Sequence, residues 1–285
     1  MMRIDAHQHF WRLSRGDYGW LNAAGFPKIT RDFLPDDLAP SLKRAAIDKT
    51  ILVQAAPTEE ETVFLLQLAQ ATPFVAGVVG WVDFDTNDAA ERIASLAANS
   101  ALVGLRPMIQ DIAETEWMLR PELAPALEAM QRHALRFDAL VKPPHLPALA
   151  EFLDRYPDLP VVVDHGAKPD IASLELEHWA MLMRHIAKNS NARCKLSGLA
   201  FEAGPGWNAQ GLKLYVDVLL ECFGPSRLMW GSDWPVLNEV GDYESWLAAC
   251  ETLTEHLAPS EREELFGGTA ASFYGIGARV RGAAG

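Results

Sequence analysis

The chain has 285 residues, room for two ordinary domains or for one large single-core fold such as an α/β barrel, and enough to bury a sizeable core. Lys and Arg number 25 against 38 Asp and Glu, and the resulting formal charge of -13 argues against a nucleic-acid partner and against an anionic membrane surface. An anionic ligand would therefore need positive charge supplied locally by its site.

In chain order, the first strand is read in IDAHQHF, residues 4–10. Strand side chains alternate, so His7 and His9 are expected on one side, with Asp5 one step deeper. Two imidazoles at a strand end can bind a divalent cation or donate to a developing oxyanion; an accidental pair, one ring packed and one exposed, also fits so short a motif. Residues 11–40, rich in Trp, Gly, Pro and Asp, read as a loop in which Trp20 can wall a sugar-sized pocket or join the core. TILVQA follows, residues 50–55, with Gln54 at its end, and then a helix opened by Thr58 and Glu61 as a capping box and carrying Leu65, Leu68 and Ala69 at helical spacing.

FVAGVVGWVDF and ALVGLRPMI are the third and fourth strands; Trp81 stands near the end of one and Arg106 at the end of the other. Arg106 reads either as a partner for a ligand carboxylate or hydroxyl, or as half of a surface salt bridge. LRFDALV, with Lys142 beyond it, is the fifth, followed by a helix with Leu149, Phe152, Leu153 and Tyr156 on one face and Pro147 near its start. LPVVVDHG is the sixth and ends at His165. On a regular strand Asp164 faces away from His165, which assigns it a supporting role, and Lys168 in HGAKP reads as a surface lysine in a fixed turn.

Trp179, Leu182, Met183 and Ile186 mark the next helix, and ARCKLSGL is the seventh strand, with Lys195 and Ser197 on one side. A lysine inside a barrel needs a partner, so Lys195 is expected in a structural ion pair. Residues 200–210 read as another loop; Leu212, Tyr215, Val216, Leu219 and Leu220 form a helix stopped by Gly224. The eighth strand, LMWGSDWPV, carries Asp233 and Trp234, where Asp233 either caps the next helix or does chemistry. Ser260 and Glu263 open a last helix, and His133, His145, His178, His185 and His256 read as solvated or capping.

About eight alternations of strand and helix, without a composition break or long linker, favour one closed (β/α)8 barrel over residues 1–285 rather than an open doubly wound sheet. A barrel would gather His7, His9, His165 and Asp233 around one axis. Cys194, Cys222 and Cys250 are odd in number and contain no CxxC, against a disulfide framework or thiolate metal site. Residues 1–10 lack the pattern of a signal peptide and no apolar run approaches a membrane span, so the cytoplasm is the expected compartment.

IDAHQHFW, GLRP, VVDHGAKPDI, KLSGL and WGSDWP, in that order across residues 3–275, resemble the amidohydrolase superfamily (amidohydrolase-2 type), and within it the branch of sugar and aromatic-derived lactonases that includes L-fuconolactonases and 2-pyrone-4,6-dicarboxylate lactonases. The resemblance implies a distorted (β/α)8 TIM barrel of the metal-dependent hydrolase type, with His7, His9, His165 and Asp233 as its metal ligands and catalytic groups. It also implies opening of a small aldonic lactone, such as that of L-fuconate, to the hydroxy acid in carbohydrate degradation. Binuclear members carry a bridging carboxylated lysine or a glutamate and a further histidine. Here one strand-end histidine follows the first pair and Lys142 matches the bridging position poorly, so a paired metal centre is not expected.

A single Zn2+ with a bound water suits this set, and so does a metal-free site in which imidazoles polarise the ester carbonyl; a divalent ion is slightly favoured, as a dispensable one. Asp233 is the expected general base, taking a proton from water and returning it to the ring alkoxide. Arg106, Gln54, Trp20, Trp81, Lys142 and Trp234 are the expected substrate contacts. The partner is a small lactone, and pairing into a homodimer is compatible with the sequence. Two other readings stand beside this one: the same barrel with a tightly held metal, cleaving an amide or decarboxylating an aromatic acid, and a barrel that binds a sugar acid without turning it over.

Overall fold

Runs of Val, Ile and Leu too short for helices become strands when both their faces are covered. In the computed structural model, which describes residues 2–22, 24–173 and 176–277, these runs form eight parallel strands in the order β1 to β8. They are β1 Ile4–Gln8, β2 Lys49–Val53, β3 Val75–Gly80, β4 Leu102–Leu105, β5 Arg136–Ala139, β6 Val161–Val163, β7 Arg193–Leu196 and β8 Leu228–Trp230. Between them run the helices α1 Pro35–Ala45, α2 Glu59–Ala71, α3 Ala89–Ala97, α4 Ala124–Arg132, α5 Leu146–Arg155, α6 Glu177–Asn189, α7 Leu199–Ala203, α8 Ala209–Phe223 and α9 Tyr243–Leu253. The arrangement is a nearly closed (β/α)8 barrel, followed by α10 Pro259–Glu263 and α11 Thr269–Tyr274. None of the described helices is long and apolar enough to cross a membrane.

Alternation sorts the strand side chains into two layers. Leu52, Val78, Leu102, Val161, Val163, Leu228 and Trp230 belong to the large core beneath the helices. Ile4, Ala6, Ile51, Val53, Val79, Val103, Val162 and Met229 form a separate cluster inside the barrel, plugged by Ala270, Phe273 and Tyr274 of α11. The plug lies at the starts of the strands, where Arg136 Nε donates to the Phe273 carbonyl at 2.6 Å.

Regular alternation fails in β1. Its register against β2 shifts between Asp5 and Gln8, so Ile4 and Ala6 face the barrel interior and, past the irregularity, so do His7 and His9. Asp5 therefore does not lie one step deeper on the histidine side, as simple alternation predicts. It faces the β8–α9 connection, accepting from Ser232 N at 2.9 Å and from the Tyr243 hydroxyl at 3.0 Å.

The same region closes the barrel. The described residues show no ladder between β1 and β8; instead the segment after β8 crosses to β1, with Asp233 N donating to His7 O at 2.8 Å and His9 N to Trp234 O at 2.7 Å. The crossing is close because Gly231 has no side chain: a Cβ there would lie 2.8 Å from His7 Cβ and 3.1 Å from His7 N. Farther round the barrel, the expected capping box is half realised. Thr58 Oγ1 accepts from Glu61 N at 3.1 Å, but the Glu61 carboxylate turns inward to accept from Ala55 N and Ala56 N at 3.0 and 2.8 Å, because those amides at the end of β2 have passed the last ladder bond.

Gly231→Ala should force β1 and the β8 segment apart. Chemical denaturation is expected to show a loss of about 1–3 kcal/mol, the usual cost of overpacking a filled interior.

Candidate active site

Three irregular segments bring the polar residues together at the C-terminal ends of the strands. The shift in β1 turns His7 and His9 inward. After β6 the chain coils through Asp164–Ala167 in a tight turn in which His165, Gly166, Ala167 and Lys168 all have positive φ, between 50° and 61°. Three of these are not glycine, and each such residue costs about 1–3 kcal/mol that the surroundings must offset. The turn points both Asp164 and His165 into the barrel, whereas a regular strand would have separated them. Gly198 makes room for the His165 ring, since a Cβ at this position would sit 2.7 Å from its Nδ1. Beyond β8, Asp233 also has positive φ, at 57°, which lifts its carboxylate over the imidazoles.

Asp233 Oδ1 lies 3.2 Å from His9 Nε2, 3.7 Å from His7 Nε2 and 3.9 Å from His165 Nε2, and the two Nε2 atoms of His7 and His9 are 3.2 Å apart. Each ring is fixed at its other nitrogen. His9 Nδ1–H donates to the Val53 carbonyl at 2.8 Å; His165 Nδ1 bonds Ser197 Oγ at 2.9 Å; His7 Nδ1 faces the Lys195 ammonium at 3.2 Å and Asp164 Oδ1 at 3.6 Å. The Asp233 carboxylate does not cap a helix, which removes that reading of GSDWP.

Burial sets the charge states. It pushes the His165 imidazole down to about 3, lowers His9, and, with the Lys195 charge adding to it, lowers His7 well below its ordinary value. Burial opposes ionisation of Asp233 as well, but there the neighbouring His165, His9 and His7 override it and hold the carboxyl well below the usual range. At neutral pH the cluster is thus a carboxylate among neutral imidazoles. With its proton committed to Val53, His9 Nε2 turns a lone pair towards a carboxylate oxygen at 3.2 Å, so two acceptors face each other. Such a pair needs a shared cation or proton, and the donor set His7, His9, Asp233, with ligand atoms all within 4.8 Å of one another, fits a divalent metal ion.

A second triplet, His7, Asp164 and His165, also brings its ligand atoms within 4.8 Å of one another. Its carboxylate is already neutralised. Lys195 Nζ is 3.0 Å from Asp164 Oδ1 and 2.5 Å from Asp138 Oδ2, all with fully buried side chains, and Arg106 Nη1 is 3.3 Å from Asp164 Oδ2. Burial raises the Asp138 carboxyl to about 6 against the pull of Lys195, while Asp164, where burial is outweighed by Lys195, His7 and Arg106, is held well below the ordinary range. The ion pair expected of Lys195 is present, with two carboxylates rather than one.

Above these groups opens a cavity of about 600 Å³, lined by His9, His165, Asp233 and Arg106 on its floor and by Trp20, Phe26, Met108, Leu140, Phe201 and Val236 on its walls. Asp17, Gln110, Asp111 and Lys168 add polar groups. Of the expected substrate contacts, Trp20 and Arg106 line the cavity. Arg106 is 3 % exposed, so the surface salt bridge is excluded.

Four expected contacts lie elsewhere. Gln54 is buried beside Arg106: its backbone carbonyl accepts from Nη2 and its amide donates to Arg106 O at 2.8 Å, so it holds the arginine instead of facing the cavity. Trp234 is 4 % exposed and packs edge-on against Phe33 and Phe10 at 5.2 and 6.0 Å, because the crossing to β1 turns it behind the site. Trp81 lines a neighbouring groove with Phe84, Pro107 and Trp117, its backbone drawn over α2 by two bonds to Thr62 Oγ1. Lys142 is exposed; its backbone N and O engage His145 Nδ1 at 3.1 and 3.2 Å in the turn before α5, which sends its side chain to solvent. Sequence reasoning missed Asp17, Phe26, Gln110, Asp111, Lys168 and Phe201; the first two fall in the loop after β1, expected on this face, and Phe201 in the short helix α7, where a loop was expected.

The amidohydrolase family model matches residues 4–276. The chain is 49 % identical over 278 residues to the L-fucono-1,5-lactonase of Burkholderia ambifaria and 37 % identical over 287 residues to that of Burkholderia multivorans, in each case covering 96 % of both chains. A crystal structure of an amidohydrolase from Burkholderia multivorans with bound zinc, 37 % identical, superposes with a TM-score of 0.91 over 97 % of this chain and 100 % of that one.

Lys195→Met should leave Asp138 and Asp164 buried without their cation. Urea unfolding is expected to show a loss of roughly 3–5 kcal/mol, typical of breaking a buried ion pair from one side.

Proposed function

The chain belongs to the amidohydrolase family, and on that premise we propose that it hydrolyses a small sugar lactone to the open hydroxy acid, with L-fucono-1,5-lactone the first substrate to test. The observation that carries this reading is the ionised Asp233 carboxylate, set among neutral imidazoles on the floor of a sugar-sized cavity with largely apolar walls. The pocket volume falls within the usual range for small-molecule sites.

In the proposed reaction Asp233 takes a proton from water as the water oxygen bonds to the lactone carbonyl carbon. The carbonyl oxygen becomes an oxyanion, facing the Arg106 guanidinium, which Gln54 and Asp164 hold in place. Collapse breaks the bond from that carbon to the ring oxygen, and Asp233 returns the proton to the departing alkoxide. The new acid then loses its own proton to solvent. His7 and His165 polarise the carbonyl while the His9 Nε2 lone pair accepts from the water and holds it, each ring oriented by its second nitrogen.

His7, His9, His165 and Asp233 would hold a divalent ion, Zn2+ the first to test, and when bound it would polarise the carbonyl and acidify the water. An ester opens more readily than an amide, so the imidazoles and Arg106 can suffice and the ion is proposed as dispensable. The absence of a disulfide among Cys194, Cys222 and Cys250 supports a cytoplasmic site of action.

A pH-indicator assay over a panel of sugar lactones should show proton release above the spontaneous rate with at least one of them; none would refute the reading. Asp233→Asn is expected to lower kcat by about 10²–10⁴-fold, while calorimetry shows L-fuconate bound within a few-fold of wild type. Treatment with a chelator, checked by elemental analysis, should leave most of the activity; complete loss restored by zinc would make the metal obligatory.

A further inference from the structure

Ring opening turns a neutral lactone into an anion inside a cavity that Asp17, Asp111 and Asp233 already line with negative charge. Two cationic side chains line the same cavity, Arg106 and Lys168. Arg106 is committed to Gln54 and Asp164. Lys168 is not: among the described residues its ammonium is paired with Glu202 Oε1 at 3.8 Å, too long for a hydrogen bond, and its side chain is 19 % exposed.

The backbone holds Lys168 to the catalytic floor. Its N–H donates to the His165 carbonyl at 2.9 Å, and Lys168, at φ 50°, ends the run of positive-φ residues that projects His165. A surface lysine in an ordinary turn would not need such a conformation, whereas a strained turn that displays two side chains into one cavity is what a ligand-gripping site requires.

We infer that Lys168 is a product-specificity residue, whose ammonium receives the carboxylate created by ring opening, and that Glu202 is the resting partner from which it is drawn. The inference rests on the lactonase reading. Before the reaction the substrate is uncharged and Lys168 keeps its loose contact with Glu202. Afterwards a carboxylate offers the lysine a closer, charge-assisted partner. Lys168 thereby sets how long the acid stays and how strongly it inhibits.

Calorimetric titration of L-fuconate into wild type, Lys168→Met, Lys168→Arg and Glu202→Gln tests this, alongside KM for the lactone that wild type turns over. Lys168→Met should bind L-fuconate roughly ten- to hundredfold more weakly and lose the salt dependence of that binding, with KM for the neutral lactone within a few-fold of wild type. Lys168→Arg should restore most of the affinity, and Glu202→Gln, which frees the ammonium, should tighten it. Wild-type affinity in Lys168→Met, in an enzyme that does hydrolyse lactones, overturns this inference alone. Equal weakening of acid binding and lactone KM overturns it too, since Lys168 would then be gripping a group common to both. A wild type that opens no lactone overturns both this inference and the reading beneath it.

Discussion

The ammonium of Lys195 lies inside the barrel with no exposure to water, between Asp138 and Asp164, and the arrangement of the whole mouth depends on it. Taking a charge out of water costs several kcal/mol, which is recovered only when good partners surround it. Here the partners continue outward: Asp164 fixes Arg106 and faces His7, Arg106 is clasped by Gln54, and His7 stands beside Asp233. Removing any link leaves a buried polar group uncompensated, so these side chains have little freedom to adopt another arrangement. The fixed arrangement of the cavity floor follows from this penalty, without any need for unusual packing.

Charge neutralisation also separates the two carboxylates at the mouth, Asp164 and Asp233. Asp164 is saturated by cations, and its role is to hold them. Among the described residues Asp233 faces neutral imidazoles and a lone pair of His9, so it has no cationic partner comparable to those of Asp164. The walls follow a different logic. They come largely from the segments that follow the strands, such as those carrying Trp20, Phe26 and Phe201, which can vary without disturbing the floor.

Much of this was legible in the sequence because strand–helix alternation survives as a pattern, and because polar residues at the ends of apolar runs stand out. His7, His9, His165, Asp233 and Arg106 were found in this way, and they do meet. What was not legible lies where the backbone leaves regular geometry. The register shift in β1 moved Asp5 away from the histidines, and the left-handed turn after β6 moved Asp164 and Lys168 towards them. Neither is encoded by two-residue periodicity. Trp234 and Gln54 were placed correctly along the chain but on the wrong side of it, because the crossing that closes the barrel turns one inward to the aromatic core and the arginine captures the other. Lys142 and Trp81 lie past the ends of their strands, where alternation no longer predicts direction.

The plug formed by α11 carries one more implication. Tyr274 donates to Asp138 Oδ2 at 2.8 Å, so the phenol from the last helix completes the partners of the carboxylate that holds Lys195, and through it His7 near the start of the chain. During synthesis the two contributors to this circuit, His7 and Tyr274, emerge far apart in time, with all of β2 to β8 between them. A ribosome-bound chain could stack most of its strands and still lack the finished pocket, which makes competence for catalysis a late, all-at-once event in the birth of the molecule.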